Sequence, residues 1–170
     1  MSDVIHYYRT LKWSDFREIS DRPSWANEVA QIDTGASITS LKVSKSKSGS
    51  PHTILDATIT VTMNRNNSWV VRDQKSDSLL KHEQGHYNLQ AIAAWDLKNG
   101  LLNLSANSAS ELSSQKKSLL STIQSKLENV KDRYEAQTQH GKLFGAQATW
   151  SNRISEIMNT DSLTLDNLPL

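Results

Sequence analysis

At 170 residues the chain has the length of one domain that buries a core without covalent staples. Its 19 basic and 18 acidic residues leave a formal charge of +1, which offers no electrostatic footprint for nucleic acid or an anionic membrane. Cysteine is absent, so disulfides and thiolate metal sites are excluded, and any metal must be held by His, Asp or Glu.

Apolar residues make up a modest 36%, offset by five Trp and four Tyr, which bury large areas each. Residues 1–13 hold no apolar core of signal-peptide length. No stretch approaches 18 apolar residues, so no membrane span is expected. Residues 4–11, rich in Ile and Tyr, predict an opening strand. Trp13 to Phe16 reads as a turn and Asp21-Arg22-Pro23 as a loop. Over 29–43, partial alternation of Ile32, Ala36, Ile38, Leu41 and Val43 predicts one or two strands. Residues 44–51, with Lys45 and Lys47 among serines, read as a solvated loop. Thr58-Ile59-Thr60-Val61-Thr62-Met63 alternates strictly and predicts a strand with Ile59, Val61 and Met63 inward. A turn at 64–67 then leads to a short returning strand over 68–71, and these segments suit an antiparallel sheet.

From Ser76 the period becomes helical. Leu79, Glu83, His86, Gln90, Ala93 and Leu97 recur every three or four residues, with Ser76 or Asp77 as N-cap and Asn99-Gly100 as stop. A longer helix is predicted over 106–140, striped by Leu112, Leu119, Ile123, Leu127, Val130 and Tyr134 and ended by Gly141. A third is predicted over 145–158 with Trp150, Ile154 and Ile157 inward, followed by an irregular tail. The whole reads as a single α+β domain over 1–170, with strands mainly over 1–75 and helices over 76–160.

The first helix carries His82-Glu83-Gln84-Gly85-His86. Histidines four apart share one helix face, so both imidazoles can reach one metal ion at zinc's preferred 2.0–2.1 Å or so. Glu83, beside them, is placed to act as general base on a water that zinc activates. A catalytic zinc site takes three protein ligands and keeps one position open. The HExxHxxGxxH arrangement is excluded, because the residue where its third His belongs is Ile92. The candidates are therefore distant ones: His140, at the end of the second helix, or Glu135 as the alternative. His6 and His52, in the strand region, read as surface residues. Tyr134 is a candidate oxyanion donor or a packed core residue, and Asp96 a candidate hydrogen-bond acceptor behind the site.

Three blocks resemble a known family. These are Leu11-Lys12-Trp13-Ser14-Asp15-Phe16; Ser68-Trp69-Val70 with Leu79 to Tyr87; and Tyr134-Glu135 with Thr138, His140-Gly141 and Gln147. Together they are similar to the bacterial domain of unknown function 922, a family of predicted zinc-dependent proteases in the zincin clan. The resemblance implies a zincin-like fold: a small antiparallel or mixed twisted sheet on the HExxH helix, plus a long C-terminal helix pair. It implies an edge strand lining the cleft, here around 59–63 or 69–71, and a functional role for the block holding His140. It also implies a periplasmic or secreted protein if a signal has been removed, whereas Met1 as the native start implies a cytoplasmic one.

The expected function is hydrolysis of peptide bonds by a monomer holding one catalytic zinc ion, with a peptide or protein as substrate. Two alternatives stand beside it. One is a metal-dependent amidase acting on cell-wall peptides. The other is a zinc-binding interaction module without catalysis, its site closed by a fourth ligand.

Overall fold

The computed structural model describes residues 9–44, 50–160 and 163–168. Six strands precede or interleave three helices: β1 (Arg17–Ile19), β2 (Ala30–Gln31), β3 (Thr34–Val43), β4 (His52–Met63), β5 (Trp69–Val71), α1 (Asp77–Leu102), β6 (Ser105–Ala106), α2 (Ala109–Thr138) and α3 (Phe144–Met158). The class is α+β, with two small sheets and three helices. One sheet is mixed, in the order β1-β5-β2, with β1 parallel and β2 antiparallel to β5. The other is antiparallel, in the order β3-β4-β6.

Helix α1 is the axis of the molecule. Residues of β2, β3 and β4 pack on it, as do α2 and α3. Its wide buried face, including Leu89, Ala91, Ile92 and Leu101, fills the main core, so it behaves as a core helix and not as a surface one. Ser76 caps it, its side chain accepting from the Leu79 amide at 3.1 Å.

Several sequence expectations are corrected. The opening strand is not seen: residues 4–8 lie outside the described residues, and residues 9–12 have no regular structure. Instead the Leu11 amide donates to Gln84 Oε1, and Gln84 Nε2 donates to the Arg9 carbonyl, so α1 satisfies a main chain that no ladder pairs. β5 does not return along β4. It sits between β1 and β2 with all three residues buried, and the preceding Ser68 hydroxyl donates to the Asn64 carbonyl, redirecting the chain after its turn. The segment 29–43 is two strands. Its broken period at Ile38 and Leu41 reflects an extra residue, Thr39, in the β3–β4 ladder. Of the loop over 44–51, residues 45–49 lie outside the described residues.

Gly100 does not stop α1, which runs on to Leu102. A Cβ there would lie 2.8 Å from both Leu119 methyls, so this glycine lets α2 approach α1 closely. Helix α2 starts at Ala109, capped by Ser108, because Ser105–Ala106 pairs with β4. It ends at Thr138, before three left-handed residues: Gln139 (φ 49°), His140 (φ 57°) and Gly141 (φ 77°). The tail is a strap across α1 and α2. Leu163, Leu165 and Leu168 are buried, and Asp96 accepts from the Leu165 amide at 2.8 Å. Asp96 thus anchors the tail, well apart from the histidine motif. Among the described residues, no helix is long and apolar enough to cross a membrane.

Candidate metal centre

Three side chains from two helices converge where α1 meets the end of α2. The 3.6-residue period puts His82 and His86 on one face of α1, and their Nε2 atoms are 3.3 Å apart. Glu135, on α2, reaches both: Oε1 lies 2.6 Å from His86 Nε2, and Oε2 lies 3.4 Å from His82 Nε2. Among the described residues this is the group of His, Asp or Glu side chains able to share one ion, all donor atoms lying within 4.8 Å of one another.

The spacing fits a tetrahedral divalent ion. Ligands held at zinc's distances and at the tetrahedral angle stand about 3.3–3.4 Å apart. The Nε2–Nε2 separation and that from His82 Nε2 to Glu135 Oε2 match that value, while the other carboxylate oxygen, Oε1, is hydrogen-bonded to His86 Nε2 at 2.6 Å. Glu135 Oε2 is also buried without a hydrogen bond, although ring nitrogens of His82 and His140 lie within ion-pair range. An acceptor enclosed without an aligned donor is what a cation satisfies.

The electrostatics show how closely these groups are coupled. Burial works against the Glu135 charge, but its interactions with the His82 and His86 rings hold its carboxyl well below the usual range. Burial also disfavours protonated His82, yet Glu135 and the charge of Glu83 outweigh it and raise its pKa. Enclosed His86 goes the other way, lowered by burial. Glu83, 2% exposed, is pushed up to about 8, chiefly by burial, while a hydrogen bond from the Ile32 main chain opposes the shift. Such a carboxyl is suited to carrying a proton near neutrality.

A second layer fixes the rings. His82 Nδ1 meets Gln147 Oε1 at 3.0 Å, which leaves Nε2 free to face the carboxylate. Gln147 Nε2 donates to the Tyr134 hydroxyl at 2.8 Å, and that hydroxyl donates to the His82 carbonyl at 3.0 Å. Tyr134 is fully buried and stacks on the His82 ring, centroids 4.8 Å apart and planes 11° apart. Two glycines make room. A Cβ on Gly85 would fall on the Tyr134 hydroxyl and 2.7 Å from Cζ, and one on Gly141 would lie 2.9 Å from His82 Cβ.

An open cleft of about 330 Å³ runs past the cluster, with Glu83, His86, Glu135 and His140 on one side and Glu28 and residues 30–32 on the other. The wall strand is therefore β2 and the link to β3. It is neither of the expected segments 59–63 and 69–71, because Ile59 is core and β5 is central in its sheet. His140 is 37% exposed at the cleft, its Nδ1 2.7 Å from Glu135 Oε2. It thus stands next to the carboxylate and outside the group of His82, His86 and Glu135. The Tyr134 hydroxyl is engaged away from the cleft. His52 begins β4, away from the cluster, and His6 lies outside the described residues. Gln84, inside the motif, serves the N-terminal segment, and no spacing rule announces that.

Residues 19–141 match a family described as bacterial protein of unknown function (DUF922). No curated protein and no solved structure matches the chain.

Proposed function

The chain belongs to this bacterial family of unknown function, and from that premise we propose that it is a zinc-dependent metallopeptidase. In this reading the fold is zincin-like, His82, His86 and Glu135 are the ligands, and Glu83 is the general base. The observation that carries it is the convergence of two imidazole Nε2 atoms and one carboxylate within reach of one ion, beside a buried Glu on an open cleft.

Zinc, when bound, supplies a Lewis acid that polarises a carbonyl and brings the pKa of water to about 7. Glu83, held by the Ile32 main chain, takes one proton from the attacking water and passes it to the departing amine. The water oxygen first joins the acyl carbon, and the amide C–N bond then breaks as its nitrogen takes the proton from Glu83. His140 offers Nε2, its other nitrogen being on Glu135, to the carbonyl oxygen as charge develops there. Tyr134 and Gln147 hold His82 in place and touch no substrate. An extended peptide lies along the free edge of β2 and gains main-chain hydrogen bonds.

One observation favours a second reading. His140 stands close enough to Glu135 to become a fourth ligand, which would close the site and leave a zinc-binding interaction module.

Zinc content by elemental analysis separates these. Wild type is expected to carry about one ion per chain, Glu135→Ala and His82→Ala none, and His140→Ala still one. Loss in His140→Ala with retention in Glu135→Ala would overturn the ligand assignment. Wild type that takes up no added zinc would end the proposal. Gln147→Leu, which strips the partner of His82 Nδ1, is expected to weaken zinc affinity about 10–100-fold in competition with a chelating dye. An unchanged affinity would make Gln147 a packing residue only.

A further inference from the structure

A lysine sits one layer below the cluster. Gln90 is one helical turn beyond His86 on α1, and Lys131 one turn before Glu135 on α2. The pair therefore lies about 5.4 Å along the helices from the ligand layer. Lys131 Nζ has two partners, Thr34 Oγ1 and Gln90 Oε1, both at 3.4 Å and both neutral. Those distances are long for hydrogen bonds. Asp33 and Glu128 act on it through space, yet among the described residues none forms an ion pair with it. Burial holds its pKa below the ordinary lysine value, so its charge is kept at a cost with no counter-ion in place.

Lys131 also lines two clefts at once. One is the cleft beside the candidate ligands. The other, also about 330 Å³, runs between the start of β3, α1 and α2, past Thr34, Gly35, Gln90 and Glu128. It is the sole Lys or Arg among the described residues of either lining. The carboxyl groups there are Glu28, Glu83, Asp132 and Glu135 on the ligand side and Glu128 on the far side.

Resting on the peptidase reading, we propose that Lys131 selects substrates bearing a carboxylate about two residues from the scissile bond, two residues of extended chain spanning about 6.6 Å. The carboxylate belongs either to an Asp or Glu side chain or to the end of the peptide. Glu28 and Asp132 repel acids elsewhere along the cleft, so the preference is confined to one register.

The test uses paired peptides, Glu against Gln and Asp against Asn, scanned through positions flanking the cleaved bond. A second set compares a free C-terminus with its amide. Turnover is measured with wild type, and binding by fluorescence anisotropy with Glu83→Gln, which needs no catalysis. The expected result is at least a tenfold preference for the acid at one position, weakening with salt. Lys131→Arg keeps that preference, Lys131→Met brings the ratio to about one, and Lys131→Glu turns it towards a Lys-containing peptide. If the side-chain set responds, the source is an acidic residue; if only the terminal set responds, it is the chain end. Equal binding of acid and amide, or a preference surviving in Lys131→Met, overturns the proposal. Acid-selective binding without turnover would instead sink the peptidase reading and leave the anion site standing. Turnover without selectivity would do the reverse.

Discussion

Glu83→Gln is expected to lower turnover of a cleavable peptide by about 10²–10⁴-fold, the usual contribution of a positioned general base. Zinc content should remain that of wild type, because Glu83 is beside the ligands and not among them. Glutamine has the same shape and keeps an oxygen for the Ile32 main chain. It also removes an ionisable group from a site 2% exposed, so the thermal midpoint should hold or rise. Single-turnover kinetics with elemental analysis on the same sample reads both quantities. Turnover within tenfold of wild type would remove Glu83 from the chemistry. A parallel fall in zinc would mean that the residue supports the site only structurally.

Gly85→Ala is expected to damage the fold and the site together. The new methyl would occupy the place of the Tyr134 hydroxyl and sit 2.7 Å from Cζ. Tyr134 cannot retreat, because it is fully buried between His82 and Trp150, with ring centroids 4.8 and 5.2 Å away. Overpacking of this kind costs about 1–3 kcal/mol, and at this chain length each kcal/mol lowers the midpoint by about 2–4 °C. Displacing Tyr134 also breaks the chain from Gln147 to the His82 carbonyl, and a further 10–100-fold or so loss in zinc affinity follows. Calorimetry and zinc competition on one preparation check both. A midpoint within 1 °C or so of wild type would show that α2 yields easily there.

The helices were the legible part of the fold, because their period is long and their caps are local. Ser76 and Ser108 mark two of the starts. The sheet was less legible. β1, β2 and β5 have two or three residues each, too few for a period to register, and their pairing joins segments about forty to fifty residues apart. Gly100 reads as punctuation in one dimension and is a packing device in three, since only the structure brings Leu119 over it.

At the site, the motif announced His82, Glu83 and His86 through spacing alone. That Glu135 and not His140 joins them in one group depends on the end of α2. Three left-handed residues after Thr138 swing His140 to the cleft rim, while Glu135, still within the helix, points into the cluster. A helical extrapolation to residue 140 cannot see that break. Gln147 stood in the block shared with Tyr134 and Thr138, but its role as the partner of His82 depends on α3 folding back across α1.

The three ligand candidates, their stacking partner and their glycines lie on helices and the turn that ends α2, whereas the facing wall of the cleft is strand and loop. On the proposed reading the metal ligands all lie on helices, whereas a substrate faces the strand wall on one side and Lys131 and His140 on the other. Side-chain changes over 28–36 leave His82, His86 and Glu135 themselves unaltered, while the Ile32 main chain and Thr34 tie that wall to Glu83 and Lys131. In directed evolution, a library confined to that wall would explore new specificities without discarding its clones for lost metal.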